Sequence, residues 1–283
     1  MDVERVVWHA WLRLACGLLV AGCASIPSTT RIALLAPFEG RYREAGYNAL
    51  YAARLAFQDA GLTSVELLPA DDGGSVSSAA DRAQALRLDP QVAAVLILGT
   101  ASADVHVLHT FEELPVIVIG DWGAQPTDSA FILSNPEIDD RLTVPPQERV
   151  TQTAKREESL IAGDSLALAQ WTRLRPASKD VTILSSAALP NPSFAARYRG
   201  SDLFAPEPGL LASLAYDATH MALQAVQIAH SERSAVAETL ATMTYAGMNG
   251  TIHFEDGYWA DAPLHTYRYD AEGVLRAAED IVK

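Results

Sequence analysis

The chain has 283 residues, of which 49% are hydrophobic and 20% charged, and its formal net charge is −14. That length suits one large or two small domains. The acidic balance speaks against a nucleic-acid binder and against a surface that holds anionic lipid. The two cysteines, Cys16 and Cys23, both lie near the N-terminus, which leaves no disulfide framework and no cysteine zinc site for the rest of the chain.

The N-terminus reads as an export signal. Arg5 and Arg13 precede the apolar run Leu14–Ala21, and the small residues Ala21 and Gly22 stand directly before Cys23. The run is too short to span a bilayer, which takes about 20 residues. The tetrad Val20-Ala21-Gly22-Cys23 resembles the lipobox of bacterial lipoproteins. That resemblance implies cleavage after residue 22 and lipid on Cys23, with two or more acyl chains giving a stable anchor. Cys16 has Arg13 three residues before it and fails the pattern, so it would leave with the signal. Residues 23–30, with "PSTT" at their end, read as a tether.

From Arg31 the pattern is strand then helix, repeated. "RIALLAP" is a buried strand ended by Pro37, and "GYNALYAARLAFQDAG" is a helix stopped at Gly61. "SVELLPADDGGS" is a second strand entering a glycine-rich turn, and "SSAADRAQALRLD" a second helix. "VAAVLILG" is a third strand, apolar throughout as a strand covered on both faces should be. "SADVHVLHTFEEL" is a third helix and "PVIVIG" a fourth strand. This alternation predicts a doubly wound parallel α/β sheet, with ligands bound beyond the carboxyl ends of its strands. "AFILS" reads as a strand, "NPEIDDRLTVPPQ" as a loop, and residues 148–174 as helix-prone with a break at Gly163. "DVTILSSA" is a strand, and "PSFAARYRG", "GLLASLAYDATHMALQAVQIAHS" and "SAVAETLATM" are helices. The C-terminal stretch carries turn signals at Asp256-Gly257 and Glu272-Gly273, which predict antiparallel strands.

The order of these pieces resembles the type I periplasmic binding proteins, in the branch that captures branched-chain amino acids, amides and urea for ABC transporters. The resemblance rests on "IALLAPFEGRYREAGYNALYAARLAFQDAG", on "VAAVLILGTASADV" with "LPVIVIG", on "FAARYRG" with "LASLAYDATHMALQAV", and on "MNGTIHFEDGYWADAPLHTYRYDAEG". It implies two α/β lobes, with a first lobe of residues 31–122 and 186–246. The second lobe, residues 123–185 and 247–283, is shortened, because only the stretch Trp122–Thr182 fills the place of a full layer. The implied activity is capture of a small amino-acid-like or amide ligand between the lobes, with no enzymatic step, no cofactor and an ABC permease as partner. An alternative with the same fold is a lipoprotein that regulates a partner, for example in cell-wall synthesis, or acts as a sensor. Carried over by position, Thr100 and Ser102 would hold a ligand carboxylate with backbone amides. Phe38, Glu39 and Tyr42 would come from the first loop, Asp121 and Trp122 from the fourth, and Tyr216 from a helix start facing the cleft. Asp121 could meet an ammonium group and Trp122 add a cation–π contact. Ser102 could equally cap the third helix, and Trp122 could equally pack between the lobes.

Two other patterns compete. "GDSL" at Gly163–Leu166, with Asp217 and His220 in Asp-x-x-His order, matches the blocks of the GDSL esterases. Ser165, however, lies mid-chain, whereas that family places its serine after the first strand. His106 and His109, with Glu112 and Glu113, could face a metal from one helix, but they lack a third convincing ligand and the HExxH order. "ADDGG" at Ala70–Gly74 lacks the ligand spacing of a calcium loop.

Overall fold

A computed structural model describes residues 29–142, 160–168 and 181–281. The signal segment, Cys23 and most of the helix-prone stretch 148–174 lie outside these residues. Strands β1 (Thr30–Ala36), β2 (Val65–Asp71), β3 (Val92–Ile97), β4 (Val116–Ile119) and β5 (Ala130–Leu133) are all parallel. Helices α1 (Arg43–Ala60), α2 (Val76–Leu88) and the short α3 (Val105–Thr110) connect the first four of them. α4 (Glu137–Arg141) is a single turn in a stretch that reads as loop from sequence.

The central strands are fully buried, and each is a continuous apolar run. β2 lies at the edge of the sheet and is only partly buried. That position explains Pro69 within it, since an edge strand can spare the missing N–H. Gly61 ends α1 in the left-handed region, at φ +62, as its sequence position predicts.

β6 (Leu160–Ala162) and β7 (Val181–Ser185) are parallel neighbours in a second sheet. After β7 come α5 (Pro192–Ser201), α6 (Leu210–Ile228) and α7 (Arg233–Thr242), of which α6 packs on α1 and on β3 and β4. The chain ends in β8 (Tyr245–Gly247), β9 (Gly250–Ile252), β10 (Phe254–Glu255), β11 (Tyr258–Trp259), β12 (His265–Tyr269), β13 (Leu275–Ala277) and α8 (Ala278–Ile281). β8–β9, β10–β11 and β12–β13 are antiparallel pairs, and Asp256 and Gly257 turn β10 into β11 at φ 50 and 79.

The first sheet runs β10-β11-β5-β4-β3-β1-β2 and the second β13-β12-β7-β6. Three sequence expectations are corrected by this order. The chain leaves the first sheet after Leu133 and not at Trp122, because β5 pairs with β4 through Val116–Ile119. β10 and β11 belong to the first sheet, where Tyr258 pairs with Ile132. Leu160–Ala162 is a strand and not helix, because its three residues complete a parallel ladder with β7. The second sheet is therefore mixed, with β12 antiparallel to both its neighbours.

Asn135 ties the chain crossings between the sheets together. Its backbone N–H donates to Ser186 Oγ at 2.7 Å, and its side-chain amide donates to the Ala262 carbonyl at 2.6 Å. These residues follow β5, β7 and β11 respectively, so they mark a hinge of three strands.

Candidate functional site

The carboxyl ends of the strands in both sheets carry small loops and buried polar side chains. After β1, Pro37 leads into Phe38, Glu39 and a 3-10 turn at Gly40–Tyr42. Phe38 donates its N–H to Asp71 Oδ1 at 2.8 Å, which ties this loop to the end of β2. Gly46 in α1 permits the close approach of that helix to the loop, because a Cβ there would stand 2.0 Å from the Pro37 carbonyl oxygen. Next to it, burial pushes the Asp72 carboxyl above its ordinary value, and the neighbouring Asp71 charge adds to this. The bond accepted from the Gly74 N–H opposes both.

After β3, a 3-10 turn at Thr100–Ala103 carries Thr100 and Ser102. Ser102 is 0% exposed and donates its hydroxyl to the Gly99 carbonyl at 2.7 Å. The cap of α3 is Asp104, whose carboxylate accepts the His106 and Val107 amides, so Ser102 is not the cap. After β4, Asp121 and Trp122 are 4% and 1% exposed. Trp122 donates its indole N–H to the Ile119 carbonyl at 2.9 Å and receives Tyr42 edge-on, with ring centroids 5.5 Å apart. Phe38, Glu39, Tyr42, Thr100, Ser102, Asp121 and Trp122 thus share one strand-end rim.

Tyr216 does not join them. It sits about 10 Å along α6 from the helix start, at 1.5 Å per residue. There its hydroxyl donates to Asp59 Oδ2 at 2.7 Å, and Arg197 donates to it at 3.4 Å. Asp59 is at the far end of α1 from the rim, so the cleft-facing role expected for Tyr216 is not supported by its position.

The second sheet brings its own strand ends to the same place. A 3-10 turn at Asp164–Leu166 follows β6, while Ser185 ends β7 and Ser186 follows it. Asp164 is 0% exposed. Its Oδ2 accepts the Asp121 N–H at 2.7 Å, and its Oδ1 accepts the Ser185 hydroxyl at 2.5 Å. Tyr269 of β12 donates its hydroxyl to the Leu166 carbonyl at 2.6 Å. Burial pushes that phenol up, and the Glu44 carboxylate of α1 adds to the shift.

Sequence reasoning places Asp72 at a strand end without giving it a role, and it gives none to Ser134, Asp164, Ser185 and Ser186. The signal was present, because each follows an apolar strand at its carboxyl end: "FILS", "TILSS", "LIAGDS", "LLPADD". Ser134 is 3% exposed and its Oγ has no hydrogen-bond partner among the described residues.

The competing patterns separate in space. Ser165 is in the second lobe and Asp217 on α6 of the first. Asp217 accepts the Met248 and Asn249 amides and the Asn249 side-chain amide, which fixes the β8–β9 turn. The His220 ring packs edge-on against Tyr216, 4.6 Å between centroids. Glu112 pairs with Arg87 at 2.6 Å, and no group of three or more His, Cys, Asp or Glu is placed to hold a metal among the described residues. No helix among them is long and apolar enough to cross a membrane.

No family model and no curated protein matches the sequence. Solved structures do match. A leucine-binding protein LivK from Thermotoga maritima superposes with a TM-score of 0.69 at 15% identity, covering 88% of this chain and 97% of that one. The branched-chain amino acid substrate-binding protein LivJ from Streptococcus pneumoniae, in complex with isoleucine, gives 0.67 at 15% identity, over 88% and 98%. A solute-binding protein of an ABC transporter from Rhodopseudomonas palustris, in complex with 3,4-dihydroxybenzoic acid, gives 0.62 at 14%, over 88% and 96%. Coverage of those chains is high, so it gives no sign of the shortened second lobe expected from sequence.

Proposed function

We propose, from the two-lobed type I periplasmic binding fold that this chain has, that it is an extracytoplasmic solute-binding protein. It captures a small amino-acid-like or amide ligand between its lobes for an ABC permease. It is held at the membrane by lipid on Cys23. The observation that carries the reading is the convergence of strand-end loops from both sheets on one buried polar rim, the position at which open α/β sheets take ligands. In this reading Thr100 and its turn receive an acidic group of the ligand, and Ser102 braces that turn through the Gly99 carbonyl. Asp121 receives a basic one. Phe38, Glu39, Tyr42 and Trp122 border the space between.

A thermal-shift series with amino acids, amides, urea and small aromatic acids tests it. A ligand at 100 times its Kd adds about 2.7 kcal/mol to folding stability. At about 2–4 °C per kcal/mol for a chain of this size, the melting point rises by roughly 5–11 °C. If no compound of these classes raises it, the binding reading fails and the regulatory lipoprotein of the same fold takes its place. The anchor has its own test: Cys23→Ala moves the protein from the membrane to the soluble fraction, and retention on membranes would refute it.

A further inference from the structure

The link between Asp164 and Asp121 runs from one lobe to the other beside the hinge: Ser185, which bonds Asp164, directly precedes Ser186, and Gly120 pairs with Leu133, two residues before Asn135. Asp121 follows β4 of the first sheet, and Asp164 follows β6 of the second. The carboxylate is fully buried and is aimed by Ser185 within its own lobe, so that Oδ2 meets the Asp121 N–H. Ser185 Oγ is itself fixed by the Ala187 N–H at 3.0 Å. The approach is close enough to dictate the residue opposite. A Cβ on Gly120 would stand 2.8 Å from Asp164 Oδ2 and 2.7 Å from Leu211, and Gly120 has φ +82. Only glycine combines that backbone with that clearance.

We infer that Asp164 is a positioning residue that latches the two lobes in the arrangement seen in this structure. Its carboxylate takes the backbone amide of the strand-four loop, and Ser185 holds it in line. The hinge at Asn135, Ser186 and Ala262 allows the lobes to part, and the latch sets how often they do. This goes beyond ligand capture and does not depend on what the cleft takes.

Spin-label distance measurement on the unliganded full chain tests it. Cys16 and Cys23 are replaced by serine, and labels are placed at Ser77→Cys on the first lobe and Glu272→Cys on the second, both exposed. The starting chain gives a narrow distance distribution. Asp164→Ala broadens it toward longer distances, with the open population raised roughly tenfold, the scale set by one hydrogen bond to a charged group. Asp164→Asn keeps an acceptor for the Asp121 N–H and restores the narrow distribution. An Asp164→Ala distribution as narrow as that of the starting chain overturns the inference, and so does an Asp164→Asn distribution as broad as that of Asp164→Ala. Should Asp164→Ala fail to fold, Ser185→Ala replaces it, with broadening in support and no change against.

Discussion

Asp217→Ala is the sharpest test of how the β8–β9 turn is held. The carboxylate accepts three hydrogen bonds, from the Met248 amide at 3.0 Å, the Asn249 amide at 2.9 Å and the Asn249 side chain at 2.7 Å. Asp217 and Asn249 are both buried, while Met248 is half-buried. Water can therefore replace the carboxylate at Met248 but not at the two Asn249 donors. A buried donor left unpaired costs about 1–3 kcal/mol, so the two together cost roughly 2–6 kcal/mol. Burial pushes the Asp217 carboxyl up more than its three bonds pull it down, so removing the charge returns part of that loss. The expected net loss is about 3 kcal/mol, or a melting point lower by roughly 6–12 °C. Urea unfolding followed by tryptophan fluorescence measures it, since Trp122 and Trp259 are both buried. A loss under about 1 kcal/mol would refute the assignment of Asp217 as the anchor of this turn.

Three further outcomes are expected. Gly46→Ala forces a methyl to within 2.0 Å of the Pro37 carbonyl oxygen, a backbone atom that cannot swing aside, and costs about 1–3 kcal/mol or more in urea unfolding. Arg233→Ala leaves the carbonyls of Arg87, Asp89 and Val92 without the guanidinium that joins them, and destabilises by about 2 kcal/mol; an unchanged urea midpoint would show that the α7 junction does not depend on it. Asp72 has its folded pKa raised above 3.8, so its contribution to stability is full below that value and is lost as pH rises through the folded pKa. The stability of the unmodified chain minus that of Asp72→Asn should therefore fall with rising pH across that window and stay level above it; a difference that rises with pH would reverse the sign of the burial argument.

The first lobe was legible because its strands are buried on both faces. Residues such as Val92–Ile97 and Val116–Ile119 then appear as unbroken apolar runs between helices, and the helix after β1 stops at the glycine that allows a left-handed turn. Partners far apart in sequence were not legible. Tyr258 meets Ile132 across more than a hundred residues, and nothing local in "GYW" says which sheet it joins. β6 was hidden for a related reason, since three residues carry no periodicity and only the ladder with β7 makes them a strand. Tyr216 was misplaced because a position early in a helix does not give the direction of its side chain, and here Asp59 and Arg197 fix it elsewhere. At the rim, the loops were found by their place after the strands. Asp164 was noticed only as a neighbour of Ser165, because its partner Asp121 lies in the other lobe.

The latch also constrains what a ligand can touch. A backbone amide has one hydrogen to give, and that of Asp121 goes to Asp164 at 2.7 Å. While the lobes are latched, a ligand at the strand-four loop must therefore use side chains or carbonyls there and find its amide donors at the strand-three turn, beside Thr100. A ligand that takes the Asp121 amide must displace Asp164 from it, and one that also offers a donor replaces the bond that the buried carboxylate gives up. Such a ligand needs a donor and an acceptor side by side, as a primary amide or an amino acid has. A simple carboxylic acid lacks that pair at neutral pH. Among ligands that take the Asp121 amide, amides and amino acids are therefore favoured over plain acids in the thermal-shift series, whereas a ligand held at the strand-three turn is not sorted in this way.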